Sequence, residues 1–249
     1  MSVIQLMGIV NMTPDSFFAP SRATASDFIS RVERMAEEGA SIIDIGAVST
    51  RPGAPDVSLE EEWARLSPVL EMLASPQKRY GMEISVDTYR AEIVRRCYET
   101  IGSFIVNDIS AGEDDEQMLP LVGSLSLPYI AMHKRGNPRT MDAMNNYTDV
   151  VSDLMTYFKD FASKAEQYGI KDWILDPGLG FAKNHEQCWE ILERLREFKS
   201  LGYKILIGAA DKRFTAGDNA KAHRMAARNG ADILRVHDVA ATRDSISNL

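Results

Sequence analysis

A closed (β/α)8 barrel is the fold this sequence predicts, and three observations predict it. Strand-like and helix-like stretches alternate eight times from end to end. Strict alternation implies parallel strands joined by right-handed crossovers. The chain has 249 residues, a length at which eight such units commonly close as one domain. The runner-up is an open doubly wound sheet, but the G-x-G-x-x-G fingerprint of its dinucleotide-binding version is missing after the first strand. No linker, low-complexity tract or close repeat divides the chain, so residues 1–249 are expected to form a single domain.

The first strand is read at Val3–Val10, an apolar run broken by Gln5 and Gly8. Helical periodicity follows from about Ser26 to Glu38, with Phe28, Val32 and Met35 on one face and Gly39 as the stop. Ser41–Gly46 is the second strand. Leu59–Leu73 is the second helix, opened by Ser58 with Glu61 three residues on, the pattern of a capping box. Met82–Val86 and Ala91–Ile101 form the third unit. Ser103–Val106 and a short acidic helix around Asp115–Val122 form the fourth. Leu127–Met132 precedes a long helix from Tyr147 to Tyr168, which stops at Gly169. The last three units pair Trp173–Leu175 with His185–Lys199, Tyr203–Ile207 with Asn219–Arg228, and Asp232–Val236 with Ala241–Leu249.

Composition narrows the function. Hydrophobic residues make up 45%, enough for a full core. The net charge is −8 and no basic block occurs, so no nucleic-acid partner is expected. No apolar run approaches a membrane span. Cys97 and Cys188 lie far apart in helical contexts and fit neither a disulfide framework nor a zinc spacing. The N-terminus begins directly on strand-like sequence, without a signal-peptide pattern. A reducing cytoplasm is the expected compartment.

In a barrel the site is built from the loops that follow the strands. Those junctions are unusually polar. Asn11, Thr13, Asp15 and Ser16 follow the first strand, with Pro14 keeping Thr13 out of helix. Ala-Val-Ser-Thr-Arg-Pro-Gly-Ala (47–54) follows the second. Asp87 ends the third strand, Asn107 and Asp108 the fourth, Met132-His133-Lys134-Arg135 the fifth, and Asp176-Pro177-Gly178 the sixth. Asp211-Lys212-Arg213 follows the seventh, and the eighth carries Arg235 and His237, two apart and on one face. Each has a plain alternative: Asp87 or Asp176 as a helix cap, His133 as a core histidine, Arg51 as a solvated loop arginine. Together they put amides, carboxylates and cations at one end of one barrel, and a polar ligand is what satisfies so many. Asp87, Asn107 and Asp176 offer acceptors and a donor to a flat, nitrogen-rich ring. Arg51, Lys212, Arg235 and His237 suit a phosphate or carboxylate. Asn11 and Asp15 could reach a hard metal ion whose remaining shell is water and phosphate, as magnesium is usually held.

Seven segments carry a family resemblance. They are Gly-Ile-Val-Asn-Met-Thr-Pro-Asp-Ser-Phe (8–17), Asp-Ile-Gly-Ala-Val-Ser-Thr-Arg-Pro-Gly-Ala (44–54), Ser-Val-Asp-Thr (85–88), Val-Asn-Asp-Ile-Ser (106–110), Met-His-Lys-Arg-Gly (132–136), Leu-Asp-Pro-Gly-Leu-Gly-Phe (175–181) and Arg-Val-His-Asp-Val (235–239). In this order they resemble the dihydropteroate synthases. Corrinoid-linked pterin methyltransferases share the pterin-cradling Asp and Asn but not the Thr-Pro-Asp-Ser-Phe and Ser-Thr-Arg-Pro-Gly loops.

The resemblance implies a Mg²⁺-dependent transferase. It joins p-aminobenzoate to 6-hydroxymethyl-7,8-dihydropterin diphosphate and releases pyrophosphate. It implies that Asp87, Asn107 and Asp176 hold the pterin ring, that Met132 packs on it, and that Lys212 lies over it. Arg235 and His237, with Asn11, Thr50 and Arg51, are implied for the diphosphate and metal, and Thr13 for substrate binding. Pro52 and Phe181 are implied for the aminobenzoate slot. The family is commonly dimeric through its late helices, which implies a homodimer here.

Three departures qualify this. Where the family reads Ser-Arg-Lys after strand seven, this chain reads Ala210-Asp211-Lys212. The connection from Lys212 to Arg235 is shorter than the family's. The first loop reads Phe18-Ala19-Pro20 in place of an acidic, glycine-rich turn. The aminobenzoate carboxylate is thus expected to lose a hydroxyl partner and meet a repulsive charge. The changed strand-seven loop argues for one alternative, a non-catalytic pterin-binding chain.

Overall fold

The computed structural model describes residues 4–12, 22–48, 56–137 and 140–247. Eight strands form the inner wall: β1 (Gln5–Asn11), β2 (Ile42–Gly46), β3 (Glu83–Asp87), β4 (Ile105–Asp108), β5 (Tyr129–Met132), β6 (Trp173–Asp176), β7 (Lys204–Ile207) and β8 (Ile233–Val236). Each pairs in parallel with the next, and β8 closes on β1, so the sheet is a barrel without edges. Eight helices pack outside: α1 (Arg22–Glu37), α2 (Leu59–Leu73), α3 (Ala91–Ile101), α4 (Met118–Leu125), α5 (Val150–Gln167), α6 (His185–Glu193), α7 (Asn219–Arg228) and α8 (Val239–Ile246). None of the described helices is long and apolar enough to cross a membrane.

The core divides in two. Between strands and helices lies a large apolar shell that includes Phe28, Leu66, Phe158 and Phe198. Inside the barrel, Met7, Ile42, Ile105, Ile130, Ile174, Leu206 and Ile233 form a separate apolar plug. Side chains on a strand alternate between faces. The residues two positions beyond the plug therefore form the next inward layer: Asp44 after Ile42, Asn107 after Ile105, Met132 after Ile130, Asp176 after Ile174 and Arg235 after Ile233. The strand register lines up Asn11 with Gly46, Gly46 with Asp87, Asp87 with Asn107, and Met132 with Asp176.

Local chemistry explains the boundaries. Ser58 caps α2 by accepting from the Glu61 N–H at 3.1 Å. The Glu61 carboxylate, expected to complete the box, pairs instead with Arg65. A full capping box joins Asn184 and Gln187 at α6. α4 starts at Met118 rather than Asp115, because Asp115 is spent on the Ala91 and Gln117 amides. α6 stops at Glu193 and a 3-10 stretch, Leu195–Leu201, follows. Asn229 takes the Leu192 and Glu193 carbonyls at that break. α8 begins at Val239, two residues earlier than expected, with Asp238 accepting from the Ala241 N–H.

Candidate active site

The layer above the plug is a carboxylate floor bridged by one guanidinium. Asp44 is fully buried on β2. It accepts from Ser85 Oγ at 2.6 Å, from Asn107 Nδ2 at 3.2 Å, and from Arg235 Nε at 2.6 Å. Arg235 reaches onward with Nη2 to Asp87 at 2.6 Å. So β2, β4 and β8 each supply one member, and β3 supplies two, Ser85 and Asp87, of a single hydrogen-bonded network. A buried charge is tolerated only when paired and hydrogen-bonded, and here each carboxylate meets the guanidinium.

Asp87 remains crowded by its own sign. Burial, with Asp44, Glu62 and Asp108 nearby, pushes its pKa up to about 7, against the pull of Arg235. Asp176, at the end of β6, is buried and accepts from the Gly178 N–H at 2.8 Å. Burial raises its pKa, while the Lys212 ammonium works the other way. Lys212 donates to the Leu179 carbonyl and stands 4.5 Å from the centre of the Phe181 ring. Burial lowers its pKa to about 8, opposed by Asp176. Met132 is buried beside Asp176.

The turn after β6 is backbone against backbone. Gly178 has φ +68°, and a Cβ there would stand 2.1 Å from the His133 carbonyl oxygen. Only glycine takes this conformation and this contact together.

On the opposite rim, His237 Nε2 lies 3.9 Å from Asp211 Oδ2. Asp211 itself sits at φ 55°. Asn219 holds it there, accepting from its N–H at 3.1 Å and donating to its Oδ1 at 2.9 Å. The negative charge expected at the aminobenzoate carboxylate thus faces His237.

The structure gathers Asp87, Asn107 and Arg235 into one network. It sets Met132, Asp176, Phe181 and Lys212 on neighbouring elements of the same mouth, with Asn11 half-buried at the end of β1. Arg235, read from sequence as an open cation for phosphate, has two of its donors committed to carboxylates. Thr13, Asp15, Thr50, Arg51 and Pro52 lie outside the described residues. Two buried charges were not singled out from sequence. Asp44 carries one local signal, a carboxylate in mid-strand between isoleucines. Lys183 is buried behind the β6 turn, and burial draws its pKa down to about 7. Its only signal is its place just before the α6 cap.

Among the described residues, no three His, Cys, Asp or Glu side chains converge to cage a metal. Asn11 offers one hard oxygen at the rim. That donor set fits magnesium held chiefly by diphosphate and water.

The family of pterin binding enzymes matches residues 7–237. The chain is 39% identical to the dihydropteroate synthase of Synechocystis sp., across 95% of this chain and 86% of that protein. It is 38% identical to the dihydropteroate synthase of Haemophilus influenzae, across 99% and 93%. Its structure resembles the Yersinia pestis dihydropteroate synthase solved with a sulfonamide drug complex. The TM-score is 0.89 at 32% identity, across 98% and 92% of the two chains. It also resembles the Xanthomonas albilineans dihydropteroate synthase in complex with 7,8-dihydropteroate. There the TM-score is 0.80 at 31% identity, across 98% and 91%. With this barrel, this polar mouth and these relatives, the chain belongs to the pterin binding enzymes, within the dihydropteroate synthase family.

Proposed function

We propose that this chain condenses 6-hydroxymethyl-7,8-dihydropterin diphosphate with p-aminobenzoate, giving 7,8-dihydropteroate and pyrophosphate in folate biosynthesis. The observation that carries the reading is the carboxylate floor with Arg235 across it, opposite Lys212 and Phe181. Asp87, Asp176 and Asn107 take the ring's N–H groups and heteroatoms, and Met132 packs on its face. Lys212 addresses the ring carbonyl. Asn11 and His237, with Arg235, Thr50 and Arg51, receive the diphosphate. Pro52 and Phe181 border the aminobenzoate slot.

The chemistry follows from charge. Breaking the C–O bond to diphosphate leaves a cation spread into the pterin, and the carboxylates beneath stabilise it where it develops. The anion site receives the departing charge. The amine of aminobenzoate forms the new C–N bond, and its surplus proton leaves to solvent. No nucleophilic side chain is needed. Asn11 would hold Mg²⁺, which when bound would supply a divalent charge to offset that of the diphosphate. We also propose a cytoplasmic homodimer joined through the late helices, on the family resemblance.

The test is direct. Purified chain, both substrates and Mg²⁺ should yield dihydropteroate and pyrophosphate in equal amounts. Ala210 and Asp211 favour one other reading, a pterin-binding chain without catalysis. Pterin binding with neither product formed would establish it instead.

A further inference from the structure

Lys183 lies between the β6 turn and the α6 cap, 7% exposed. Its Nζ donates to the Phe181 carbonyl at 2.9 Å and to the His133 carbonyl at 3.4 Å, and faces His133 Nδ1 at 2.9 Å. As an ammonium Lys183 only donates, and in that form Nδ1 accepts and the His133 proton sits on Nε2. Burial, with Lys183 and Arg135 beside it, keeps His133 neutral, its pKa down to about 2. Three donors therefore meet three acceptors. Two belong to His133, just past β5, and one to Phe181, in the loop after β6. The backbone closes the same seam, since the His133 N–H donates to the Asp176 carbonyl at 3.0 Å. The Phe181 ring in turn lies beneath the Lys212 ammonium.

Burying a cation is costly before it is paired. A neutral amide could bridge two carbonyls at a smaller desolvation cost. What the lysine adds is a short, three-way strap on the main chain of Phe181, and positive charge behind the mouth. We infer that Lys183 is a positioning residue for the acceptor substrate, holding Phe181 against the aminobenzoate slot by tying the β6 loop to the end of β5. This rests on the reading of Phe181 as a wall of that slot.

The experiment compares steady-state kinetics of the unmodified chain, Lys183→Met and Lys183→Arg, with pterin affinity measured by calorimetry. Lys183→Met should raise the KM for p-aminobenzoate about tenfold or more, the worth of one charged hydrogen bond. Its kcat should stay within about threefold and its pterin affinity should be unchanged, the split of a lost acceptor contact. Lys183→Arg, which restores charge and donors, should recover most of the loss. If Lys183→Met does not fold, Lys183→Gln is judged by the same criteria. A folded variant with unchanged KM overturns the assignment. So does one in which kcat, KM and pterin affinity decline together, since that is scaffold damage. An unmodified chain that forms no product refutes the synthase reading and this assignment with it. Product formation with indifferent variants refutes the assignment alone.

Discussion

Arg235 Nη2 donates to Asp87 Oδ2 at 2.6 Å, joining the last strand of the barrel to the third. The same guanidinium serves fully buried Asp44 through Nε. Arg235→Ala should therefore act on stability as well as on ligand binding. Removing one partner of a buried ion pair typically costs about 3–5 kcal/mol, because the other charge stays behind. Denaturant unfolding of the variant measures this. A loss below about 1 kcal/mol, the scale of an exposed pair, would show that both carboxylates are satisfied without the guanidinium.

The raised pKa of Asp87, about 7, makes two pH effects of opposite sign. The folded chain keeps a proton on Asp87 that the unfolded chain, with a carboxyl pKa near 3.9, releases. This contribution to stability is full below about pH 4 and is lost as pH rises toward 7. Pterin binding should go the other way. An ionised Asp87 accepts from ring N–H groups with both oxygens and a full charge, whereas a protonated one turns one oxygen into a donor, so affinity should rise between pH 6 and pH 8. Calorimetry at both pH values, on the unmodified chain and on Asp87→Asn, tests this. If the variant keeps the same pH dependence, the titrating group is elsewhere.

Asp87→Asn and Asp176→Asn should each weaken pterin binding by about 1.5–3 kcal/mol, the worth of a hydrogen bond to a charged acceptor. Calorimetric titration with a pterin ligand reads this directly. Affinity unchanged from that of the unmodified chain in both variants would leave Asp176 as no more than the turn residue that accepts from Gly178.

The strand-seven loop should separate the two substrates. The hydroxyl missing at Ala210 removes a partner worth roughly 1.5–3 kcal/mol, and an exposed repulsion adds up to ~1 kcal/mol. By this arithmetic the KM for aminobenzoate is raised roughly ten- to several-hundred-fold, with pterin affinity little changed. Ala210→Ser should recover part of it. Because Asp211 faces His237, its carboxylate opposes the anion site as well, so Asp211→Asn should tighten pyrophosphate binding. Saturation of the unmodified chain by low-micromolar aminobenzoate would place the carboxylate elsewhere.

Much of this was legible in the sequence because the barrel repeats one event. Most strands end in or lead into polar residues, and period-two alternation carries Asn107, Asp176 and Arg235 inward above an apolar layer. Helices bounded by local chemistry, such as α2 and α7, fall where their caps put them. What stayed hidden depends on contacts distant in sequence. Asp44 takes its meaning from Asn107 and Arg235, 63 and 191 residues away. Lys183 takes its meaning from His133, 50 residues back. α4 starts at Met118, later than its acidic lead suggests, because Asp115, a natural cap by composition, accepts from the first amide of α3. The orientation of Asp211 toward His237 follows from Asn219, whose role no local pattern announces.

Gly178 closes a route of sequence change. Its backbone dihedral disfavours every L side chain, and its contact with the His133 carbonyl leaves no room for even one methyl group. These two prohibitions are independent, so relaxing one does not lift the other. A neighbouring mutation that moved His133 would also have to release Lys183 and the Asp176 carbonyl. Selection that favours a reshaped mouth must therefore act on other positions, and this codon offers a population no missense path that keeps the mouth intact.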